Sequence, residues 1–281
     1  MVVGDKRHAR AIVGGRLGLL TVGAVVMIIP FAYMVATSFK HNALVLELPP
    51  QFVPHQPTTA NYREAWSSNQ FGRYFLNSLI VAGATTFFAV FISSMMAYAF
   101  ARFRFPGRRF LFGLLLIGLM VPTMMLLIPQ FLLARQLGAL NSLWGLVFFY
   151  TAMNLALNTF LLRSFFQDIP RELEEAMVVD GAGPWERYRK LILPLSRPAL
   201  ATVAIFSFLA SWDEFVWALT VINDPSRRTL PIAIALFQGQ HSTSWGLVFA
   251  ASVIAIVPVI GIFIAFQRQF VSGIASGALK A

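Results

Sequence analysis

The sequence contains no cysteine and few charged residues, and both shortages narrow what the chain can be. Without cysteine there is no disulfide scaffold, no thiolate catalyst and no cysteine-ligated metal. The histidines are far apart along the chain and lack the spacing of metal ligands, so we expect no metal site. There are four of them: His8, His41, His55 and His241.

Charged residues make up 12% of the 281 residues, whereas hydrophobic residues make up 57%. Soluble domains have about 25% charged and about 45–50% apolar residues. A water-soluble fold of this length cannot cover so much apolar surface, and the 27 phenylalanines suit helix surfaces that face lipid or other helices. The composition therefore predicts an integral membrane protein.

A phosphate-binding loop for ATP is also missing, because no lysine of the chain follows a glycine. The residues that precede the four lysines are Asp5, Phe39, Arg189 and Leu279. Any work driven by ATP would need another subunit. The chain also lacks a histidine, cysteine or serine constellation for catalysis, which argues against a membrane enzyme.

Six stretches are long and apolar enough to cross a bilayer, which requires about 20 helical residues. They are residues 17–38, 75–100, 110–133, 143–162, 199–222 and 246–266. The first follows a basic flank, as a cleaved signal peptide would, but its longer apolar run favours an uncleaved span. We predict an all-α membrane protein with six transmembrane helices.

Lysine and arginine predict the orientation of these helices. Of the 22 basic residues, 16 fall on the side that holds both termini and 6 on the other. The positive-inside rule places the side with 16 in the cytoplasm. Residues 1–16 and 267–281 are then a cytoplasmic N-terminus and tail around a membrane domain of residues 17–266. The net charge of +10 is explained by anionic lipid, so we expect no nucleic-acid partner.

A long cytoplasmic loop, residues 163–198, has the residues of helix ends. They are Asp168 as an N-cap, Pro170 in a first turn, Gly181 and Gly183 at a helix end, Pro184 at a second start and Pro194 at a second end. The loop is therefore predicted to be a helix, a tight turn and a second helix. The second helix is amphipathic, which fits either a hairpin resting on lipid headgroups or a docking surface for a soluble partner.

The same loop resembles the EAA coupling loop of bacterial ABC-importer permeases. The resemblance is carried by Glu175-Ala176-Met177, Asp180-Gly181-Ala182, Ile192-Leu193-Pro194 and Pro198. Other strings resemble the second permease of maltose-type carbohydrate importers: Asn77-Ser78, residues 97–103, Trp212-Asp213-Glu214-Phe215, Thr229-Leu230-Pro231 and residues 267–280. The sequence departs from the family at two positions. Met177 stands where the family usually has Ala, and Asp213 stands where Asn is common.

The resemblance implies a type I ABC-importer permease fold and a prokaryotic inner-membrane location. It implies four kinds of partner: a second homologous permease, two ATPase subunits that bind ATP and Mg, an external solute-binding protein, and a sugar. This chain itself would hold no cofactor. The residues that would contact the ATPase are Glu175, Ala176, Met177, Asp180, Gly181, Ala182, Ile192 and Pro194.

Two acidic residues in the fifth predicted span are candidates for the transport passage. A carboxylate in a span is costly and faces protein or water, so Asp213 and Glu214 are singled out together with Trp212 and Phe215. The alternative is that the aromatic rings pack between helices and Glu214 anchors a backbone carbonyl. Asn154 and Asn158, one turn apart in the fourth span, are further candidates, with hydrogen bonding between helices as their alternative.

These features favour a permease of an ATP-driven sugar importer. One alternative is an ABC permease for another polar solute such as glycerol phosphate. A second is an ion-coupled secondary carrier, which would leave the Glu175 loop without a role.

Overall fold

The computed structural model describes residues 3–41, 52–68, 70–239 and 243–278. Within these ranges, side chains are described only between residues 13 and 267. Every regular element in the described ranges is helical. In chain order the α-helices are α1 (Val3–Ser38), α2 (Ala60–Ser67), α3 (Phe71–Arg102), α4 (Arg108–Met120), α5 (Leu127–Gln136), α6 (Leu143–Asp168), α7 (Arg171–Val179), α8 (Pro184–Arg187), α9 (Leu193–Leu195), α10 (Arg197–Trp212), α11 (Val216–Val221), α12 (Leu230–Leu236) and α13 (Trp245–Ala278).

Four single helices of the described chain are long and apolar enough to cross a membrane. They comprise Val13–Ser38, Phe71–Arg102, Leu143–Asp168 and Trp245–Gln267, and they correspond to the first, second, fourth and sixth predicted spans. There are six candidate spans if each of two bent helix pairs is counted as one span; the pairs are Arg108–Met120 with Thr123–Gln136 and Pro184–Leu195 with Arg197–Trp212. The predicted all-α membrane fold is therefore confirmed.

The third predicted span is not one continuous helix. Its halves, Arg108–Met120 and Thr123–Gln136, meet at an angle of 99°. Pro122 follows the end of α4, and proline holds the residue before it in an extended conformation. Val121 has that conformation, with φ −86° and ψ 120°. Residues 110–133 were predicted as one apolar span, and the size of the bend was not predicted because hydropathy measures composition and not direction.

The fifth predicted span also breaks, since α10 ends at Trp212 and α11 begins at Val216. Asp213 and Glu214 therefore lie in a non-helical joint. The fifth predicted span does not continue as one helix to residue 222.

One compact unit of the chain contains residues 1–69 and 234–255. This unit contains the short helix α2. Its buried Asn61 Nδ2 donates to the carbonyls of Ser38 and Lys40, at 2.9 and 2.7 Å. The hydroxyls of Ser38 and Tyr62 share a further bond of 2.6 Å. These bonds fasten α2 to the C-terminal end of α1.

The other compact unit contains residues 70–233 and 256–281. Within it α3 packs along α6, and α10 packs against both. One apolar cluster lies at the cytoplasmic end predicted for these helices and includes Ala97, Leu162, Phe166 and Val203. A second surrounds Tyr150. The three packed helices form the frame that carries the candidate site.

Polar side chains at the start of α3 bind the segment that precedes α12. Asn77 Nδ2 donates to the carbonyls of Ser226 and Arg228, at 3.1 and 2.9 Å. Ser78 Oγ accepts from the backbone N–H of Leu230 at 2.8 Å. Two of the strings that carry the family resemblance, 77–78 and 229–231, are thus neighbours in space.

A second polar joint is built around Asn141, which has a φ of +53°. Its Oδ1 accepts from the backbone N–H groups of Asn223 and Asp224, at 2.7 and 2.9 Å. Asp224 in turn accepts from the N–H of Ser226, and this bond lowers the pKa of the Asp224 carboxyl. The turn between α5 and α6 is therefore held to the segment after α11.

Gly145 allows the first turn of α6 to approach the preceding loop closely. A Cβ atom there would lie 2.1 Å from the carbonyl oxygen of Ala139. We expect Gly145→Ala to lower the free energy of unfolding by about 2 kcal/mol, because the backbone must shift to relieve the overlap. A thermal unfolding scan of the detergent-solubilised protein measures this.

Gly83→Ala is the matched control, since a Cβ at Gly83 meets nothing within 4 Å in the middle of α3. It should leave the melting temperature unchanged or raise it slightly. Equal melting temperatures for the two variants would contradict the close approach at Gly145.

Candidate functional site

The segment from the end of α6 to the start of α10 contains the predicted coupling loop, and we use that name for residues 163–198. It folds as α7, a turn and a second helical stretch that begins at Pro184, the position predicted to open it. Three predicted boundaries were wrong. Asp168 is the last residue of α6 and α7 begins at Arg171 after Pro170, while Pro194 lies inside α9 and does not end the stretch.

The turn after α7 is a Schellman motif centred on Gly181, whose φ is +81°. The N–H of Ala182 donates to the carbonyl of Met177 at 2.8 Å, and the N–H of Gly181 donates to that of Val178 at 2.9 Å. A left-handed residue at this point favours glycine because other side chains are strained there. Gly183 was predicted to share this role, but it has a φ of −72° and is extended.

A π-helical turn, Tyr188–Ile192, separates α8 from α9. Proline has no N–H, so Pro194 cannot close the ordinary bond to the carbonyl four residues earlier. The N–H of Leu193 instead donates to the carbonyl of Tyr188, five residues back. Single π turns of this kind occur often at functional sites.

The predicted ATPase-contact residues do not all lie on the surface. Glu175, Ala176, Asp180, Gly181 and Pro194 are exposed, Met177 and Ala182 are half-buried, and Ile192 is fully buried. Ile192 packs in the apolar cluster with Ala97 and Phe166. Ile192 therefore has a role in core packing, whereas Glu175, Ala176, Asp180 and Gly181 lie exposed at the end of α7 and the turn after it, and Pro194 is exposed in α9.

Large apolar side chains are exposed on the coupling loop. The exposed fractions are 44% for Leu173, 51% for Val178, 88% for Val179 and 57% for Trp185. Apolar residues at such positions mark a surface that meets another protein or lipid. Leu173, Val178 and Val179 lie on the same helix as Glu175, and Trp185 follows the turn at Gly181.

The second half of the coupling loop is attached to α3. Tyr98 donates from its hydroxyl to the carbonyl of Pro184 at 3.2 Å, and the hydroxyls of Ser94 and Tyr188 are 2.7 Å apart. The rings of Tyr98 and Tyr188 also pack with centroids 5.2 Å apart. The amphipathic pattern predicted contact with lipid headgroups or with a soluble partner, whereas Tyr188 is buried against α3 of its own chain.

The first half of the loop carries a buried carboxylate that the sequence reasoning did not assign to the site. Glu174 Oε1 lies 2.5 Å from Arg102 Nε, and Glu174 Oε2 lies 3.7 Å from Arg187 Nη1. The side chains of Arg102 and Glu174 are 6% and 8% exposed. We call Glu174, Arg102 and Arg187 the Glu174 clamp. A recess of about 250 Å³ beside the clamp is also lined by Glu175.

The break in the fifth span is stabilised by Glu214. Its Oε1 accepts from the N–H of Trp217 at 2.7 Å, and its Oε2 accepts from the N–H of Ala218 at 3.0 Å. The hydroxyl of Tyr150 on α6 donates to Oε2 at 2.5 Å. Glu214 thus caps α11 and ties it to α6. The alternative of a structural anchor at Glu214 is therefore supported, although the groups that it binds are N–H and O–H donors and not a carbonyl.

Asp213 differs from its neighbour because its side chain is exposed. The rings beside it are packed. Trp212 is buried, stacks on Phe208 with centroids 5.5 Å apart and meets Phe75 edge-on at 5.7 Å. Phe215 is half-buried against the cluster around Tyr150. Among the predicted passage residues of this joint, Asp213 is the one most open to a solute.

The two asparagines of α6 have different surroundings. Asn158 is buried and donates from Nδ2 to Ser207 Oγ on α10 at 2.7 Å, which supports the alternative of bonding between helices. Asn154 is half-buried and donates to the carbonyl of Tyr150 within its own helix at 2.8 Å. Within the described residues, no group of three or more His, Cys, Asp or Glu side chains could hold a metal ion.

Comparisons with known proteins agree with this architecture. The chain is 34% identical over 264 residues to the diacetylchitobiose uptake system permease protein NgcG of Streptomyces coelicolor, covering 93% of this chain and 87% of that protein. It is 39% identical over 270 residues to the trehalose/maltose transport system permease protein MalG of Thermococcus litoralis, covering 93% and 96%.

A solved structure has the same fold. The crystal structure of a bacterial ABC transporter that imports the acidic polysaccharide alginate matches with a TM-score of 0.80 at 23% identity, covering 94% of this chain and 98% of that one. A family model described as the inner membrane component of binding-protein-dependent transport systems matches residues 89–276, which include the coupling loop and the broken span. The chain therefore belongs to the family of binding-protein-dependent transport system inner membrane components.

Proposed function

We propose that this chain is one of two permease subunits of an ATP-driven importer that moves a sugar or oligosaccharide into a prokaryotic cell through the inner membrane. The observation that carries the proposal is similarity along about nine-tenths of the chain to permeases named for sugars. The exposed turn at Gly181 and the apolar side chains around it supply the surface for a partner ATPase. ATP and Mg belong to that partner, since no lysine here follows a glycine.

The remaining partners follow from the family. A binding protein delivers the solute on the side of α2, and a second homologous permease completes the passage. The excess of arginine and lysine favours a cytoplasmic position for the coupling loop and both termini. The residues proposed to contact the ATPase are Glu175, Ala176, Met177, Asp180, Gly181 and Ala182.

We infer a preference for a neutral sugar over glycerol phosphate from one residue of the broken span, Asp213. The exposed carboxylate of Asp213 at the broken span repels anions and accepts hydrogen bonds from hydroxyl groups. We assign to Asp213 a contact with the solute and to Glu214 the capping of α11.

Reconstitution tests the function. Proteoliposomes that contain both permeases, the ATPase subunits and the binding protein should take up at least one of trehalose, maltose and diacetylchitobiose when ATP is supplied on the ATPase side. Uptake driven by a proton or sodium gradient, with the ATPase omitted, would instead support a secondary carrier. Uptake of glycerol phosphate and of no sugar would support the other ABC alternative.

Vesicles that contain the two permeases without the ATPase subunits test the orientation, because the loop surface that includes Val179 is then uncovered. Because the chain has no cysteine, Pro54→Cys and Val179→Cys each introduce a single label site. A membrane-impermeant maleimide should label the first from the binding-protein side and the second from the ATPase side. The reverse pattern would overturn the orientation.

Gly181 is the residue to change in testing the coupling loop. Leucine at a φ of +81° costs about 1–2 kcal/mol and adds bulk to the proposed ATPase contact. We expect Gly181→Leu to remain in the membrane and to lose both uptake and solute-stimulated ATP hydrolysis. A phosphate-release assay on the purified complex measures the second.

Gly138→Leu is the matched control. Gly138 also has a positive φ, +65°, and a Cβ there meets nothing within 4 Å, but it lies in the turn between α5 and α6. It carries the same backbone strain outside the coupling loop and should keep stimulated hydrolysis. Loss of hydrolysis in both variants would trace the effect to strain and remove the docking role.

The paired substitutions Asp213→Asn and Glu214→Gln separate solute contact from capping. The Gln amide presents an NH₂ group where the carboxylate accepts three bonds, so we expect Glu214→Gln to lose about 2 kcal/mol of stability. Asp213→Asn should keep the wild-type melting temperature and raise the KM for the sugar modestly. A lowered melting temperature in Asp213→Asn, with unchanged KM, would assign Asp213 to structure as well.

A further inference from the structure

The helix proposed to meet the ATPase has almost no apolar attachment to its own chain. Among the nine residues of α7, all of them described, Glu174 is the only buried one, and Met177 is half-buried. Its larger apolar side chains, Leu173, Val178 and Val179, are exposed. Most surface helices are held by an apolar face. In α7 the buried position is occupied by a charged residue, Glu174.

Glu174 and Glu175 are adjacent and have opposite surroundings. Successive helical residues point about 100° apart, so one turn of α7 presents Glu175 outward and Glu174 inward. Glu174 meets Arg102, the last residue of α3, through an Nε–Oε1 contact of 2.5 Å. Arg187 of α8 approaches the other oxygen at 3.7 Å.

Arg102 also holds the linker that precedes α7, since its Nη2 donates to the carbonyl of Ile169 at 2.7 Å. The chain is anchored to α3 again at Pro184, by the hydroxyl of Tyr98. Between these two anchors, α7 and its Schellman turn are connected to α3 through Glu174. Without that contact, a partner could displace α7 while α3 stayed in place.

Stability alone does not account for such a contact. Removing two charges from water is costly, and apolar side chains of similar volume often stabilise a fold as well or better. A buried carboxylate between two guanidinium groups does fix the direction and register of the helix that carries it. We propose that Glu174 is the positioning residue that makes α3 follow α7, so that the Glu174 clamp transmits the movement of the ATPase to the second span. This inference rests on the proposed function.

The test is the amount of sugar moved per ATP hydrolysed by the reconstituted complex. We expect Glu174→Gln to assemble with the ATPase and hydrolyse ATP, but to move about fivefold less sugar per ATP or lower still, a typical size for a coupling between sites. Glu186→Gln is the matched control. It breaks an exposed 2.5 Å ion pair with Lys190 in the same loop and should behave as wild type.

A double variant keeps the test informative if Glu174→Gln does not accumulate. Arg102→Met with Glu174→Leu leaves no unpaired buried charge within the pair, so we expect it to fold, and its short apolar contact should still couple poorly. Wild-type sugar uptake per ATP in either Glu174→Gln or the double variant would overturn the proposal.

A chemical cross-link between α3 and α7 distinguishes a mechanical connection of these helices from a general structural role of Glu174. In the natural cysteine-free background, Arg102→Cys with Glu174→Cys should be uncoupled until a short bis-methanethiosulfonate links the two thiols, and then regain uptake per ATP. Failure of the linked protein to recover would overturn the proposal.

The movement of α3 can also be measured directly, without sugar. Labelling of a Leu76→Cys site, on the exposed outer part of α3, should change on ATP binding in the wild-type background and not with Glu174→Gln. The same change in both backgrounds would overturn the proposal. Absence of any ATP-driven sugar uptake in the wild type would contradict the proposed function, whereas a normal wild type with a normally coupled Glu174→Gln would contradict the clamp alone.

Discussion

The constraint on which this structure depends is that a bilayer offers no water to backbone N–H and C=O groups. Long helices satisfy those groups within themselves, and four single helices of the described chain do so over at least 23 residues. Wherever a helix stops, side chains must replace the missing bonds. Glu214 does this at the start of α11, and Asn77, Ser78 and Asn141 do it for the segment between α11 and α12.

Much of the fold could be predicted from the sequence because apolar length is a strong signal. The same signal carries no information about direction, so it missed the 99° bend at Pro122 and the end of α10 at Trp212. Pro122 was visible as a proline within a span, but prolines elsewhere in the chain lie inside continuous helices, as Pro30 does in α1 and Pro258 in α13. Tertiary packing determines whether a proline breaks a helix or lies inside a continuous one.

The candidate site was predictable where local geometry determines it. Gly181 ends α7 because only its left-handed conformation completes the Schellman bonds, and a glycine three residues before Pro184 indicated that turn in the sequence. Glu174 was visible only as one acid of a first helical turn. Its partner Arg102 is 72 positions away, and no pattern within the loop could join them. Long-range ion pairs of this kind require the fold to be known.

The π turn Tyr188–Ile192 has a consequence for how the coupling loop tolerates insertions and deletions. A π turn contains one residue more than the α-helical turn it replaces. Deleting one residue there would let the segment wind as ordinary α-helix, and the residues on both sides of the turn would keep their directions. Trp185 would stay directed outward, whereas deletion of a residue from α9 would rotate everything before it by about 100°. The π turn is therefore the place where the second half of the coupling loop tolerates the loss of one residue.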